Sequence, residues 1–146
     1  MTEDALRVLI GLKMWSAGLA GDVAWFQFGA AVVRPDHNGE ERVVGEYALH
    51  ASTEWQWSAP SGFVKADNES ASEVVKILTQ DDPRVASVEL YQTGQVNLQF
   101  ADGDTLRIQV PDAAEGEAVE YWRLFKPGTL APHFVVSSDG SQWDEV

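Results

Sequence analysis

Between residues 85 and 110 the sequence alternates apolar and polar side chains with a period of two, which constrains the fold more than any other feature. The segments VASVELYQ, QVNLQF and TLRIQV carry this alternation, and the turn sequences TG and ADGD separate them. Successive side chains of a strand point to opposite faces, and an Asp-Gly pair favours a hairpin. The segments predict an antiparallel three-stranded meander with one solvated face. The expected core positions are Val88, Leu90, Val96, Leu98, Phe100, Leu106, Ile108 and Val110, and the expected outward positions are Glu89, Asn97, Gln99, Arg107 and Gln109.

Further strands are expected on both sides of the meander. LRVLIGLKMW predicts one strand, and DVAWFQFGAAVV and VVGEYALHASTEWQW predict an antiparallel pair around the polar segment RPDHNGEER. YWRLFK and HFVVSS predict a last pair. One helix is expected near residues 70–80, because Ser70 and Glu73 form a capping-box pattern and Pro83 cannot continue a helix. We therefore expect a single domain over residues 1–146 of the α+β class, a mostly antiparallel sheet or open barrel with one main helix.

Charge narrows the classes of partner. The chain has 23 acidic and 10 basic residues and a net charge of -13. Such a surface repels nucleic-acid phosphate and anionic lipid, so neither a nucleic acid nor a membrane is expected as partner. A basic protein would be attracted, although acidity can also serve solubility alone.

The chain contains no cysteine, which excludes disulfides, cysteine-zinc sites and thiol catalysis. The first residues, MTEDALRVLI, carry acids where a signal peptide would carry bases. No segment approaches the roughly 20 apolar residues that a membrane-spanning helix needs. We therefore expect a cytoplasmic protein.

The stretch GEYALHASTEWQW, residues 45 to 57, places a histidine between two acids. If the stretch is one strand, Tyr47, Leu49, Ala51, Thr53, Trp55 and Trp57 share one face, whereas Glu46, His50 and Glu54 lie on the other. At about 3.3 Å per residue, His50 and Glu54 would be about 13 Å apart, too far to share one zinc ion. Neither a metal nor another cofactor is expected. We interpret His50 as a hydrogen-bonded structural histidine, with a ligand or a catalytic base as the alternative.

Aromatic residues leave two interpretations open. Trp55, Trp57 and Tyr47 can form a core face or a contact patch for a sugar or a protein. Arg123 lies between partly apolar residues, so it is expected to pair with an acid. Trp143 lies among acids near the end of the sequence and is a candidate contact residue.

Four segments, DVAWFQFG, GEYALH, YWRLFKPG and HFVV, resemble in this order a family of small acidic bacterial proteins of uncharacterised function, over most of the chain. The layout is also similar to small bacterial domains with a WxLxxP strand and a final hairpin, some of which look like immunity-type partners of toxins. The resemblance implies no catalytic residues. It implies that GEYALH and HFVV are neighbours, which would bring His50 towards His133. The matching motif residues are Gly45, Glu46, Tyr47, His50, Trp122, Arg123 and His133.

The sequence favours a non-enzymatic acidic protein, of immunity or accessory type, that covers a basic protein partner. The acidic loop with Glu115 and Glu117 is expected to speed association with that partner. One alternative is a small-molecule or carbohydrate-binding module that uses Tyr47, Trp55 and Trp57. A second is an enzyme centred on His50 with Glu46 and His133. The candidate binding residues are Glu46, Tyr47, His50, Trp57, Arg123, His133 and Trp143.

Overall fold

The computed structural model describes residues 3–68, 83–111 and 119–144, which form one short helix and three antiparallel sheets. The helix α1 spans Glu3–Arg7, and the strands are β1 (Met14–Ala20), β2 (Val23–Phe28), β3 (Val32–Pro35), β4 (Glu41–Val44), β5 (Tyr47–Ala51), β6 (Trp55–Ser58), β7 (Val64–Asp67), β8 (Val85–Leu90), β9 (Val96–Phe100), β10 (Thr105–Ile108), β11 (Glu120–Phe125), β12 (His133–Ser137) and β13 (Gly140–Asp144). The six-stranded sheet has the order β1-β2-β5-β11-β12-β13, and the five-stranded sheet has the order β7-β6-β10-β9-β8. Strands β3 and β4 form a separate hairpin.

One hydrophobic core joins the two large sheets. Phe26 of β2 meets Trp55 of β6 edge to face, with ring centroids 5.4 Å apart. The indole nitrogen of Trp122 in β11 donates a hydrogen bond of 2.8 Å to the carbonyl oxygen of Gly94, in the β8–β9 turn. Buried side chains of both sheets belong to a single cluster. The hydrophobic effect therefore holds the sheets together across this shared core.

The meander is confirmed. Strands β8, β9 and β10 pair antiparallel in sequence order, and Val88, Leu98 and Leu106 lie side by side in register. Leu98 and Ile108 are fully buried, Leu90 is partly buried and Arg107 is exposed. The Asp-Gly turn closes the β9–β10 hairpin, since Phe100 N donates to Asp104 O at 2.8 Å and Gly103 has a φ of +95°.

Asn97 departs from the predicted facing. Its register with Glu89 and Arg107 places it on the outward row of the five-stranded sheet, as expected. It is nevertheless only 7% exposed. Its amide nitrogen donates to the Tyr91 hydroxyl at 3.2 Å, and Gln95 Nε2 donates to its amide oxygen at 3.3 Å. Residues of the β8–β9 turn region thus cover it.

The prediction of one strand over residues 45–57 is wrong. Strand β5 belongs to the six-stranded sheet and β6 to the five-stranded sheet, so the chain crosses between the sheets at residues 52–54. Ser52 N donates to Tyr121 O and Gln109 N donates to Glu54 O, which ties each side of the crossing to a different sheet. The crossing brings Trp55 and Trp57, both 1% exposed, into the shared core. The single aromatic face that would have joined them to Tyr47 does not form.

Of the two remaining predicted pairs, the last is confirmed and the other is confirmed in part, because the segments 22–33 and 43–57 each divide into more than one strand. Strand β2 pairs antiparallel with β5, and the β3–β4 hairpin lies between them in the chain. Strand β11 pairs antiparallel with β12.

The α+β class is corrected to an all-β class for the described residues. Within them α1 is the only helix, and neither large sheet closes into a barrel. The first predicted strand is replaced by α1 and a turn, and β1 begins only at Met14.

Strand β1 continues through Gly18. The Trp25 ring covers the backbone at this glycine, so that a Cβ atom there would lie only 2.5 Å from the ring. The helix expected near residues 70–80 lies outside the described residues. In the described part of the chain, no helix has the length and apolar character that crossing a membrane requires.

Candidate functional site

A polar and aromatic group of side chains occupies the outer face of the six-stranded sheet. Arg123 of β11 lies directly opposite His50 of β5, and β12 on the other side of β11 carries His133. Alternation along the strands puts these side chains on the face opposite the core residues Leu49 and Trp122. We refer to His50, Glu120, Arg123, Phe125 and His133 as the histidine–arginine cluster.

Arg123 holds the cluster together. Its guanidinium donates to both carboxylate oxygens of Glu120, at 2.9 Å from Nε and 2.5 Å from Nη2. The expectation that Arg123 pairs with an acid is confirmed. The register between β11 and β12 shifts between Glu120 and Trp122, close to this ion pair. Arg123 Nη1 also lies 2.9 Å from Nδ1 of His133. Since arginine can only donate, this histidine nitrogen is an acceptor.

The two histidines flank one aromatic ring. His50 meets Phe125 edge to face with ring centroids 4.7 Å apart, and His133 stacks on Phe125 at 4.5 Å. The segments GEYALH and HFVV are therefore not paired as neighbours, because β11 lies between β5 and β12. His50 and His133 still come to the same place, on either side of Phe125 and Arg123.

The surroundings lower the pKa of both imidazoles, which favours their uncharged form. Burial lowers the pKa of His50 below its ordinary value, and the Arg123 charge lowers it further. The same two causes, in the same order, lower the pKa of His133. The hydrogen bond from Arg123 lowers the pKa of the Glu120 carboxyl. The cluster is thus one ion pair, between Arg123 and Glu120, with the two imidazole rings beside it.

Metal binding would need a different set of groups. Among residues 3–68, 83–111 and 119–144, no three histidine or carboxylate side chains lie close enough to hold an ion. Arg123 Nη1 lies against Nδ1 of His133, and its positive charge opposes a second cation there.

Glu46 lies away from the cluster. Its carboxylate accepts a hydrogen bond of 2.8 Å from the backbone nitrogen of Ala30, in the turn after β2. The set of His50, Glu46 and His133 that an enzyme centred on His50 would use is therefore not assembled around one point.

Trp57 is corrected from a candidate contact residue to a core residue. Its ring stacks on Phe100 at 4.9 Å and is 1% exposed. Its indole nitrogen donates to Asp104 Oδ2 at 3.0 Å, and Lys65 Nζ donates to the same oxygen at 2.7 Å. Asp104 is itself buried. The sequence did not single out Asp104, because the segment ADGD was interpreted as a hairpin turn and its second aspartate was taken as part of that turn.

Tyr47 and Trp143 line a cavity of about 330 Å³, which we call the end pocket. It lies where β5 and β12 begin and β11 and β13 end. Trp143 is 60% exposed and meets Phe134 edge to face at 5.1 Å. The amine of Lys126 lies 5.4 Å from the centre of the Tyr47 ring. The remaining lining residues are Ala5, Val8, Leu124, Phe125, Ala131 and Pro132.

Acidification should destabilise the protein through the two histidines. Their lowered pKa values mean that the unfolded chain binds more protons, so the free energy of unfolding falls as the pH drops below about 6.5. Glu120 adds a further loss below about pH 4.5 in the same direction. We expect melting temperatures measured from pH 7.5 to pH 5 to fall less in His50→Gln than in the unmodified chain. His37→Gln, in the exposed β3–β4 turn, is the matched control and should retain the full fall. An unchanged fall in His50→Gln would contradict this prediction.

The candidate residues thus form two adjoining groups, with Phe125 contacting both histidines and lining the end pocket. His50, Arg123 and His133 belong to the histidine–arginine cluster, whereas Tyr47 and Trp143 belong to the end pocket. The pocket's α1 wall and Lys126 were not predicted, because no local pattern connects residues 5–8 with residues 124–132.

No family model, curated protein or solved structure matches this chain.

Proposed function

We propose that the chain is a non-enzymatic binding protein that covers a basic protein partner, in the manner of an immunity protein covering a toxin. The observation that carries this proposal is an exposed apolar surface around the end pocket of a strongly acidic chain.

The apolar surface has the composition of an interaction site. Trp143 is 60% exposed on one wall of the end pocket, and Val8 is 42% exposed on another. Leu130, next to the lining residue Ala131, is 84% exposed. Exposed apolar groups gathered in one place mark contact sites in soluble proteins. Tryptophan is among the residues that contribute most binding energy at interfaces, so Trp143 is the expected anchor.

Charge selects the partner. The net charge of -13 favours a cationic protein and opposes nucleic acids. Long-range attraction acts mainly on the association rate and weakens as salt screens it. The apolar contact at the end pocket acts mainly on the dissociation rate. The partner is therefore a basic protein that presents an apolar side chain.

Trp143→Ala should weaken the complex with the basic product of an adjacent gene at least tenfold, about 1.4 kcal/mol, chiefly by faster dissociation. Phe63→Ala is the matched control, since Phe63 is a 70% exposed aromatic residue in the β6–β7 connection. Binding kinetics measured at rising salt should show slower association and a nearly constant dissociation rate. Charge reversal at Glu115 and Glu117, which lie outside the described residues, should also slow association.

Two outcomes would overturn the proposal. One is that no basic product of an adjacent gene binds the purified chain. The other is that Phe63→Ala weakens the complex as much as Trp143→Ala, because the end pocket would then contribute nothing specific.

The end pocket also supports a second candidate, a small-molecule binding module. Its volume of about 330 Å³ falls at the lower end of the usual range for ligand sites, and its lining is mostly apolar. This version uses Tyr47 and Trp143 rather than the predicted set of Tyr47, Trp55 and Trp57, since both of the latter tryptophans lie in the core. It requires a ligand that raises the melting temperature of the chain without any protein partner, and Trp143→Ala should remove that rise.

A further inference from the structure

Strand β13 forms a regular and exposed edge of the six-stranded sheet. Four of its five residues are exposed, and in the described part of the chain no strand pairs with its outer side. Its register with β12 runs without a shift from the His133↔Asp144 pair to the Ser137↔Gly140 pair. Its sequence, GSQWD, contains neither lysine nor proline. A strand of this kind presents unpaired backbone donors and acceptors to any extended segment.

The other edges of the two large sheets are built differently. Each edge strand has one extra residue relative to its neighbour: Trp15 in β1, Lys65 in β7 and Ala86 in β8. Such bulges twist an edge and interrupt its pairing, which is how proteins protect edges from other chains. Strand β13 alone among these four edges has no such interruption.

We propose that an extended segment of the basic partner pairs with β13 and adds a seventh strand to the six-stranded sheet. This inference rests on the proposed function and specifies how the partner binds. Addition of a strand to a sheet edge is a common mode of peptide recognition, in which backbone hydrogen bonds give affinity and side-chain pockets give specificity.

The end pocket supplies the side-chain contact. Trp143 lies opposite Phe134, on the core-facing side of the sheet. A side chain opposite Trp143 on an added strand would lie about 5 Å from it, on the same face. That position lies beside the end pocket, which Trp143 lines. The segment should therefore have an apolar residue at the position facing Trp143.

Charge identifies the occupant as a basic segment rather than a second copy of this chain. Asp139 in the turn before β13 and Asp144 at its end place carboxylates near both ends of the edge. A second copy would bring its own net charge of -13 and the same two carboxylates to the contact. Lysine or arginine in the added segment would instead face Asp139 and Asp144.

Synthetic ten-residue peptides that alternate valine and lysine test the pairing with the full chain. Hydrogen exchange of the β13 amides that point away from β12 should slow at least tenfold at saturating peptide, because the added strand covers them. N-methylation of every second residue blocks one edge of a strand. We expect methylation along one edge of the peptide to weaken binding at least tenfold, and methylation along the other edge to leave it unchanged. Equal effects of the two methylated peptides, or unchanged exchange in β13, would overturn the proposal.

A charge-matched pair of variants separates this inference from the proposed function. Gln142→Lys places a protecting lysine on the β13 edge, whereas Gln92→Lys makes the same change in the exposed β8–β9 turn. We expect the first to weaken binding of the peptide and of the partner protein at least tenfold, and the second to change it less than twofold. If the partner protein binds Gln142→Lys normally but still depends on Trp143, strand addition is wrong and the proposed function stands. If the unmodified chain binds neither peptide nor partner, the proposed function fails as well.

Discussion

Replacing Leu98 by alanine should lower the free energy of unfolding by about 2 to 5 kcal/mol. Leu98 is fully buried in the second-last strand of the five-stranded sheet, between Val88 and Leu106. Its removal loses transfer free energy and leaves a cavity that the surrounding strands can only partly fill. Urea denaturation measures the loss, and Arg107→Ala on the exposed row should change the free energy by less than about 0.5 kcal/mol. A loss below about 0.5 kcal/mol in Leu98→Ala would mean that this strand is not packed.

Asp104→Ala should destabilise the protein by about 1 to 3 kcal/mol, because Trp57 would keep a buried N–H group without an acceptor. Lys65 would also lose its partner, although its side chain is 32% exposed and can reach water, which reduces that part of the loss. Thermal and urea denaturation measure the change. Asp139→Ala, an exposed aspartate in the β12–β13 turn, is the control and should cost less than about 0.5 kcal/mol.

A double-mutant cycle separates the hydrogen bond from the charge at Asp104. Trp57→Phe keeps a ring against Phe100 but removes the N–H donor. Because Trp57→Phe leaves no donor to orphan, Asp104→Ala should then cost about 1 to 3 kcal/mol less in that background than in the unmodified chain. Equal costs in the two backgrounds would show that the bond between Trp57 and Asp104 contributes nothing to stability.

Alternation predicted the meander because one face of each strand meets the core and the intervening turns contain glycine. The same alternation misled the interpretation of residues 45–57. Leu49 and Ala51 face the core in one sheet, Trp55 and Trp57 face it in the other, and all four occupy odd positions. The pattern therefore continues in phase across the crossing at residues 52–54. A period of two cannot separate one long strand from two short strands in facing sheets.

The candidate site was only partly predictable for a related reason. Arg123 was expected to pair with an acid, yet nothing local indicates that it lies opposite His50, 73 residues earlier in the chain. The end pocket depends on α1, which contains too few residues to show a helical period. No local pattern distinguished Asp104 from the other acidic residues, of which the chain has 23 in all. Pairing register and contacts between distant segments, rather than side-chain pattern, determine these sites.

The place of β11 between β5 and β12 has a consequence for the order of folding during synthesis. Strands β1, β2 and β5 are complete once residue 51 has emerged, but the partner of β5 on its other side begins at residue 120. At translation rates of about 5 to 20 residues per second, one edge of β5 stays unpaired for roughly 3 to 14 s. The pairing of β5 with β11 joins segments about 70 residues apart in the chain. Such distant pairing gives this sheet a high contact order, so we expect it to form late. In the nascent chain, the unpaired edge of β5 is thus a second place, besides β13, where another chain could pair.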